Sequence, residues 1–301
     1  NCAVLVSDYD FDRREIADAM VQAKTRGCDV RLVTDGDTIA KADADLTKTR
    51  SQIDPAYHEA FTALRTAGIE IHHDGKRGAI MHDKFAVVDG LAVWTGSWNF
   101  TTNDSYRYDN AGIAIESAEL AAAYTATFDR MFERGEFGPK RGGSGPRRRV
   151  LVEGSPVEVW FSPEDGTEAR LVELLGSART RIDFLAFSFT DDEIGAAVRE
   201  RAAAGVAVRG VFEKTGSLTK YSEYGAMRKA GLKVLQDGNA YLMHIKAFIV
   251  DGRYVAFGSY NFTKNARTEN DENLLVVDDV GMAKAFEAEF ERVWARAEGA
   301  R

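Results

Sequence analysis

Short runs of apolar and β-branched residues alternate with longer segments of helical periodicity along most of the chain. In the first half, strands are predicted at CAVLV and DVRLV, with a helix over 13–26 between them. A second helix is predicted over 56–67, followed by the strands IEIH, KFAVVDG and LAVWTG. This order, with two adjacent strands at its end, predicts an α/β fold with a mixed sheet and helices on both faces.

The chain contains an internal repeat. The stretch MHDKFAVVDGLAVWTGSWNFT, from Met81, recurs from Met243 as MHIKAFIVDGRYVAFGSYNFT. Six positions recur at identical spacing, namely His82, Lys84, Asp89, Gly96, Ser97 and Asn99 in the first copy and His244, Lys246, Asp251, Gly258, Ser259 and Asn261 in the second. Six such matches at about one in twenty each have a chance probability on the order of 10⁻⁸. The two halves are therefore copies of one unit.

Alignment of the copies predicts the domain boundaries. We expect a first unit over 1–137, a basic linker rich in Gly and Pro over 138–149, and a second unit over 150–301. The first unit is expected to be incomplete at its N-terminus, because the strand VEVWFS and the helical segment after it have no counterpart before Asn1. The first copy also has an additional polar segment over 36–55, which is predicted to be a loop.

Each motif also predicts a β-hairpin. The pairs Asp89-Gly90 and Asp251-Gly252 separate two apolar runs, and Asp-Gly is a preferred turn sequence between paired strands. We therefore expect both aspartates to hold the turn rather than to contact substrate. The glycine near the end of each motif is expected to permit close approach of a neighbouring backbone.

The repeated pattern HxKxxxxDxxxxxxGSxN resembles the signature of the phospholipase D superfamily, and both copies are intact over nearly the whole chain. The resemblance implies two units related by a pseudo-two-fold axis, in a chain that acts as a monomeric pseudo-dimer. It also implies a metal-independent phosphodiesterase with a phosphohistidine intermediate. By the same resemblance His82 is the nucleophile and His244 the general acid and base, and the residues themselves leave the reverse order open.

The motif residues also suit this reaction on chemical grounds. Cleavage of a phosphodiester needs a nucleophile, an acid for the leaving oxygen and positive charge against the phosphoryl group. Two imidazoles can provide the first two, and Lys84 and Lys246 can hold the non-bridging oxygens. The motif serines and asparagines can add neutral donors. Because the lysines carry the charge, no metal and no other cofactor is expected.

Each motif histidine also needs an acceptor on its other ring nitrogen, which fixes its tautomer and orientation. The family often has an acidic residue downstream of the motif for this purpose. Glu272, in TENDENLLVV, fits that place. Asp109, in YRYDNAGIAI, is predicted to be its counterpart if one residue is deleted between the copies.

The preferred function is hydrolysis of nucleic acid with little sequence specificity, as in an endonuclease. The segments after each motif are short. The basic linker offers a possible basic edge, and Arg107, Lys264 and Arg267 lie close to the motifs in sequence. Phospholipase D activity, by hydrolysis or by transfer of a head group, is the alternative. A catalytically inactive binding protein of the same fold is the second alternative, and two intact motifs argue against it.

Composition limits these functions further. Forty-five per cent of residues are hydrophobic and 29% are charged, which is typical of a globular chain. No apolar run approaches the roughly 18 residues that a membrane-spanning helix needs. The net charge of −8 excludes a broadly basic coat and leaves room for a local basic patch. The sequence His72-His73-Asp74 is interpreted as a polar strand end rather than a metal site.

The two cysteines precede the first two predicted strands. Strands joined by a helix of this length usually pair in parallel, so Cys2 and Cys28 would lie at the same end of the sheet, with Cα atoms about 5 Å apart. A disulfide and two buried thiols both remain open. A disulfide would favour a secreted or periplasmic protein, which suits a chain that begins with Asn1 rather than Met; localisation is otherwise not assigned.

Overall fold

The computed structural model describes residues 2–44, 55–75, 78–140 and 148–300. In the first half, the strands are β1 Ala3–Asp8, β2 Asp29–Thr34, β3 Glu70–His73, β4 Lys84–Val88, β5 Ala92–Gly96 and β6 Gly112–Glu116. The helices of that half are α1 Arg14–Thr25, α2 Gly36–Ala42, α3 Pro55–Thr66, α4 Thr102–Tyr106 and α5 Ala118–Arg134. A short 3₁₀ turn follows at Gly138–Lys140.

The second half repeats this order with additional elements at its start. Its strands are β7 Arg148–Val152, β8 Ser155–Ser162, β9 Arg181–Ala186, β10 Ala207–Phe212, β11 Lys233–Gln236, β12 Lys246–Val250, β13 Tyr254–Gly258 and β14 Glu272–Asp278. Its helices are α6 Thr167–Gly176, α7 Asp192–Ala203, α8 Glu223–Lys229, α9 Lys264–Thr268 and α10 Val280–Gly299, with a 3₁₀ turn at Gly216–Leu218.

The two sheets have the same internal strand order. The first sheet runs β3-β2-β1-β4-β5-β6, and the second runs β11-β10-β9-β12-β13-β14-β8-β7. In each sheet the first three strands are parallel and the following strands pair antiparallel, so both sheets are mixed. This arrangement confirms the predicted fold class and the duplication.

Local sequence explains the long helix of the first half. Ser117 accepts a hydrogen bond from the backbone of Leu120 at the start of α5, and Gly135 ends the helix with a φ of 61°. The buried side chains of α5 recur at helical spacing along one face. They pack into a core that also includes Phe161, Phe257 and Phe290 of the second half. One hydrophobic core is therefore shared by the two halves, and each half also has a core of its own.

Two segments differ from the loops that the sequence predicted. Residues 36–42 form α2, because Asp35 caps its first turn by accepting from the backbone of Asp37; the rest of that predicted loop, 45–54, lies outside the described residues. At the predicted linker, Arg148 and Arg149 already belong to β7, which pairs with β8. Linker residues 141–147 also lie outside the described part of the chain.

The two cysteines form a disulfide. Cys2 and Cys28 have a Cα–Cα distance of 4.7 Å, and the backbone amide of Asp29 donates to the carbonyl of Cys2. Strands β1 and β2 pair in parallel directly after these cysteines. The predicted juxtaposition is confirmed, and of the two alternatives the structure has the disulfide.

Two further features bear on what the chain could bind. In the described ranges, no helix is long and apolar enough to cross a membrane. At the end of β3, the ring of His72 stacks on Phe132 at 4.0 Å and its Nε2 contacts Glu70. These contacts account for His72 as part of a packed strand.

Candidate active site

A tight turn fixes the frame of each motif. Asp89 and Gly90 have φ values of 57° and 66°, and Asp251 and Gly252 have 54° and 64°, as expected for the turn of a two-residue hairpin. The Asp89 carboxylate accepts from the backbone of Ala3 at 2.9 Å. The Asp251 carboxylate accepts from the backbone at the start of β9, at 2.8–2.9 Å. These contacts fit the predicted structural role of both aspartates.

The motif glycines bring two backbones into close approach. A Cβ atom on Gly96 would lie 2.2 Å from the carbonyl oxygen of Ala111, and one on Gly258 would lie 2.3 Å from that of Asn273. Both distances are far shorter than any real Cβ contact, so a larger residue would displace the neighbouring strand. The strand that follows each motif, β6 or β14, is thereby held close against the second strand of its own hairpin.

The motif serines support the same junction. The Ser97 hydroxyl donates to Asn110 Oδ1 at 2.8 Å and accepts from the backbone of Ala111 at 3.1 Å. The Ser259 hydroxyl accepts from the backbone of Asn273 at 2.9 Å. Both serines are buried. Their hydroxyls are thus engaged within the protein, and their predicted role as donors to a phosphate stays a prediction.

Both motif lysines are fully buried. Lys84 Nζ donates to the carbonyl of His82 at 2.8 Å, and Lys246 Nζ donates to that of His244 at 2.7 Å. Burial lowers the pKa of Lys84, and burial together with the Lys84 charge lowers that of Lys246 well below its usual range. Since an ammonium group has three protons, each lysine can still donate to a second acceptor.

The first motif histidine is held by the second unit. His82 Nδ1 lies 2.7 Å from Glu272 Oε2, and both side chains are buried. Burial raises the pKa of Glu272 to about 8, against the opposing charges of the two lysines. Burial and the same lysine charges lower the pKa of His82 well below its usual range. The two buried groups lie within hydrogen-bonding distance, so the predicted contact of Glu272 is present.

The second motif histidine is held by the first unit, through residues other than the predicted one. His244 Nδ1 lies 3.0 Å from Asp104 Oδ1 and 3.1 Å from Asn110 Oδ1. Burial and Lys246 lower the pKa of His244 to about 3, although the contact with Asp104 raises it. Asp104, on α4, is the residue that the sequence reasoning missed, because the second copy has Ala266 at that place.

The prediction that Asp109 orients the second histidine is wrong. Its carboxylate instead accepts from Arg292, Arg296 and Asn239. The strand register explains the error, because Gly96 pairs with Gly112 and Gly258 with Leu274, without any deletion between the copies. The true counterpart of Glu272 is therefore Asn110.

Asp109 instead contributes its backbone to a reciprocal contact between the units. The amide of His244 donates to the carbonyl of Asp109 at 2.8 Å, and the amide of His82 donates to the carbonyl of Asp271 at 2.9 Å. Residues Asp109 and Asp271 are equivalent in the repeat. Each histidine is thus placed by the strand of the opposite unit, which is the arrangement expected across a pseudo-two-fold axis.

An aromatic ring lies beside each histidine. The Tyr9 ring is 4.9 Å from that of His82, and the Phe187 ring is 4.6 Å from that of His244. The lysine ammonium groups lie over the same two rings, at 5.1 Å and 4.6 Å. Sequence alignment could have found both rings, since Tyr9 and Phe187 each follow the first strand of the shared core of their unit.

The motif asparagines are placed differently from each other. Asn99 Nδ2 donates to Asp104 Oδ2 at 3.2 Å. Within the described residues, the side-chain oxygens of Asn99 and Asn261 are buried without a hydrogen-bond partner. Their predicted contact with a phosphate stays a prediction.

Three exposed tyrosines each have a cation beside the ring. Tyr106, Tyr221 and Tyr241 are 72%, 69% and 56% exposed, and all three lie in loops or short helices at the sheet edge that bears the histidines. Arg13, Lys220 and Arg107 lie within 4.7–5.3 Å of these rings. We call these three pairs the tyrosine rim.

The remaining predicted basic residues lie on α9. Lys264 begins this helix. Arg267 makes ion pairs with Glu168 and Asp191 at 3.3 Å and 3.7 Å, so its charge is already partly offset within the protein.

The duplicated histidine–lysine motif and the two mixed sheets match a known protein family over most of the chain. The family described as "Cardiolipin synthase, PLD-like domain" matches residues 3–132 and 171–294, which together are most of the chain. The chain belongs to the phospholipase D superfamily, as the repeated motif predicted.

Three known proteins illustrate the likeness. A mitochondrial cardiolipin hydrolase of Chlamydomonas reinhardtii is 36% identical over 126 residues, which is 42% of this chain and 56% of that protein. A phospholipase D of Rickettsia bellii is 30% identical over 132 residues, 44% of this chain and 66% of that protein. The chain thus spans less than two thirds of these relatives. The structure of a Haemophilus influenzae phosphatidylserine synthase matches 98% of this chain and 81% of its own, with a TM-score of 0.71 and 16% identity, and shows the same fold.

Proposed function

We propose that the protein hydrolyses phosphodiesters through a covalent phosphohistidine, and that nucleic acid of little defined sequence is its substrate. The observation that carries the proposal is the reciprocal holding of the two histidines. Glu272 of the second unit holds His82, and Asp104 of the first unit holds His244, each on Nδ1. The chemistry then falls to Nε2 of each ring.

In the first step, Nε2 of His82 attacks the phosphorus and forms an N–P bond while the bond to the leaving oxygen breaks. His244 donates the proton that the leaving alcohol needs. In the second step, water attacks the phosphorus and gives a proton to His244. The N–P bond then breaks, which releases the phosphomonoester and restores both rings.

The charges of the site suit an anionic diester. Burial and the lysine charges lower the pKa of both histidines. A bound phosphate anion offsets the charges of Lys84 and Lys246 and so favours a protonated His244, which can then act as an acid. The lysines supply the positive charge that a metal ion supplies in other phosphodiesterases.

The tyrosine rim supports nucleic acid as the substrate. Exposed aromatic rings beside cations can stack bases and attract the phosphate backbone without reading sequence. Arg107 and Tyr241 come from different units, so their pair lies where the two halves meet. A single strand that crosses this junction would bring a phosphate to both histidines.

Phospholipid is the second candidate, favoured by the names of the relatives. The curated relatives described above are a cardiolipin hydrolase and a phospholipase D, both matched at 30% identity or more. Exposed tyrosines also suit the interface of a bilayer. An inactive binding protein remains the least favoured reading, because both histidines, both lysines and their buried partners are present.

One assay separates these functions. The protein is incubated with single-stranded DNA, plasmid, RNA, and vesicles of phosphatidylcholine or cardiolipin, each in chelator, with His244→Ala as the control. The proposal predicts cleavage of nucleic acid that survives chelation and is lost in the control variant. Cleavage of vesicles alone would move the substrate to phospholipid. Activity that needs an added divalent cation would overturn the lysine-based mechanism.

Binding provides a second test of the substrate. Affinity for DNA should fall steeply with salt, because phosphate contacts release counterions. Tyr106→Ala and Tyr241→Ala should reduce kcat/KM for a polymer more than for a small nitrophenyl phosphodiester. Salt-independent DNA binding, or equal losses on both substrates, would contradict a role of the rim in holding nucleic acid.

A further inference from the structure

We infer that Asp104 is the positioning residue of His244, and that it replaces, from helix α4, the acid that strand β14 provides to His82. The inference rests on the proposed function and deepens it, because it assigns the second histidine its own carboxylate. The motif alone does not indicate this residue, since it lies outside the repeated pattern.

The two copies have exchanged their acidic positions. At the start of the strand after the motif, the second unit has Glu272 and the first has Asn110. In the short helix after the motif, the first unit has Asp104 and the second has Ala266. Each histidine thus contacts one carboxylate, although the two carboxylates come from different elements. This reciprocal exchange argues that each histidine requires one carboxyl partner.

Hydrogen bonds hold the Asp104 carboxylate in place from several sides. Oδ2 accepts from Thr101 Oγ1 at 2.8 Å and from Asn99 Nδ2 at 3.2 Å. Oδ1 accepts from the backbone of Asn99 at 3.2 Å and from Asn110 Nδ2 at 3.0 Å, and lies 3.0 Å from His244 Nδ1. The carboxylate is buried, so it has little freedom to leave the ring.

Asn110 completes the arrangement. Its amide nitrogen donates to Asp104, which turns its Oδ1 toward the Ser97 hydroxyl and His244 Nδ1. The ring nitrogen therefore faces two acceptor oxygens and must carry a hydrogen. This selects the tautomer of the neutral ring with an unprotonated Nε2, and it stabilises the doubly protonated ring when Nε2 takes a proton.

The two carboxylates also differ in charge. Burial would raise the pKa of Asp104, but hydrogen bonds from His244, Thr101 and Asn99 outweigh burial and lower it. Burial instead raises the pKa of Glu272 to about 8. A carboxylate that stays ionised suits the histidine that becomes a cation, which is the acid and base of the proposed mechanism.

The test removes the carboxylate of Asp104 and places one at Asn110, the position in the first unit that is equivalent to Glu272. We expect Asp104→Ala to reduce kcat by about 10²- to 10⁴-fold with little change in KM, as loss of a histidine-orienting aspartate does in other enzymes. Asp104→Asn should lose nearly as much, because it keeps the shape and removes the charge. The double variant Asp104→Ala/Asn110→Glu should recover activity to within about tenfold of wild type. Asp18→Ala, which removes an exposed carboxylate paired with Arg14, is the matched control.

Two readouts separate positioning from a structural role. Without the Asp104 carboxylate, the protonated form of His244 is less stable. The alkaline limb of the plot of kcat against pH should therefore move to lower pH in Asp104→Asn and return to its wild-type position in the double variant. Nitrogen NMR of His244 in the free protein should show Nδ1 protonated in wild type and a mixture of tautomers in Asp104→Asn. Near-normal kcat with an unchanged pH profile, or a double variant that folds but is no better than Asp104→Ala, would overturn the inference.

The NMR measurement needs no substrate. If wild-type protein cleaves no phosphodiester, the proposed function fails while the tautomer of His244 still tests Asp104. A tautomer that is the same in wild type and Asp104→Asn would overturn the inference even in an active enzyme.

Discussion

The two units of this chain share a backbone frame and differ in the side chains that support it. Both have six strands in the same order and both place histidine and lysine at the start of the fourth strand. The acid that holds each histidine comes from a strand in one unit and from a short helix in the other. Register and turn geometry thus place the reacting groups, while the partner of each ring can be supplied from more than one element.

The contact between the units is also asymmetric. Asn273 of the second unit donates to Asp83 at 2.9 Å and accepts from Thr95 at 2.9 Å and from Tyr124 at 3.3 Å. The equivalent positions in the other direction are Ala111, Ile245, Phe257 and Phe286. One side of the pseudo-axis is therefore a buried polar network, and the other is apolar. The repeated backbone is compatible with both arrangements. In one, the buried polar side chains are hydrogen-bonded to each other, and in the other the equivalent side chains are apolar.

The largest effect is expected from loss of either motif histidine, and the two losses should be equal in size. His82→Ala and His244→Ala should each reduce kcat by at least about 10⁴-fold, and the double variant should be little worse, because both rings act in every turnover. His58→Ala is the matched control, since this ring is exposed on α3. Steady-state rates on a phosphodiester check the prediction. If one single variant kept near-normal kcat, a site shared by both units would be wrong.

The next effect concerns a bridge that only the first unit has. The Cys2–Cys28 disulfide closes a loop with a sequence separation of 26, and the second unit has Thr180 and Val206 at these places. Replacing both cysteines with serine should lower the free energy of unfolding by about 3 kcal/mol. Activity at 25 °C should persist, because the bridge lies at the opposite end of β1 from Lys84. Denaturant curves check this, and an unchanged midpoint would contradict it.

The motif glycines should behave alike in both units. Gly96→Ala and Gly258→Ala each place a Cβ within 2.3 Å of a backbone carbonyl oxygen, so each should destabilise the protein by about 2 kcal/mol or more. Gly225→Ala is the control, because its Cβ would meet nothing within 4 Å and it lies in helix α8. This control should be neutral or slightly stabilising. Thermal melting compares the three, and a neutral Gly96→Ala would refute the close approach.

The smallest expected effect is a difference between Glu272 and Asp104 in how each makes the free energy of unfolding depend on pH. The pKa of Glu272 is raised to about 8 in the folded protein, so the folded state binds more protons than the unfolded state between about pH 4.5 and 8. Its contribution to stability is full below that window and is lost as pH rises through it. Relative to Glu272→Gln, wild type should therefore lose about 1 kcal/mol or more between pH 5 and pH 8.

Asp104→Asn provides the contrast for that measurement. The pKa of Asp104 is lowered, chiefly because hydrogen bonds from His244, Thr101 and Asn99 outweigh its burial. The Asp104 carboxylate therefore contributes its full stabilisation at any pH above the pKa that it has in the unfolded chain. This stabilisation is lost only as pH falls toward the lower pKa of the folded state. Between pH 5 and pH 8 the difference between wild type and Asp104→Asn should stay constant. A pH-dependent difference there, or none for Glu272→Gln, would show that the two partners do not differ as described.

Much of this architecture could be predicted from the repeat. Matching the copies gave the strands, the hairpin turns, the motif residues and Glu272, and strand order placed the two cysteines together. Asp104 could not be found that way, because it lies outside the repeated pattern and its equivalent in the second copy is Ala266. Asp109 aligns with Glu272 only if one residue is deleted, and the strand register shows no such deletion.

Other differences came from tertiary packing. Both motif serines could donate a hydrogen bond to a phosphate, yet strand pairing buries their hydroxyls against the next strand. The segment after β2 is polar throughout, yet a capping aspartate starts a helix there. Composition alone does not separate such a helix from a loop.

The central claim is that one phosphohistidine forms at a site built by both units. The most direct measurement quenches single turnovers of the His244→Ala variant on a diester whose phosphorus is radiolabelled, and maps the label by peptide analysis. In this variant the first step is slow but still possible with a good leaving group, while release is blocked. The account predicts label on His82. Label on a residue other than His82, or turnover in wild type with no labelled enzyme at any time, would contradict it.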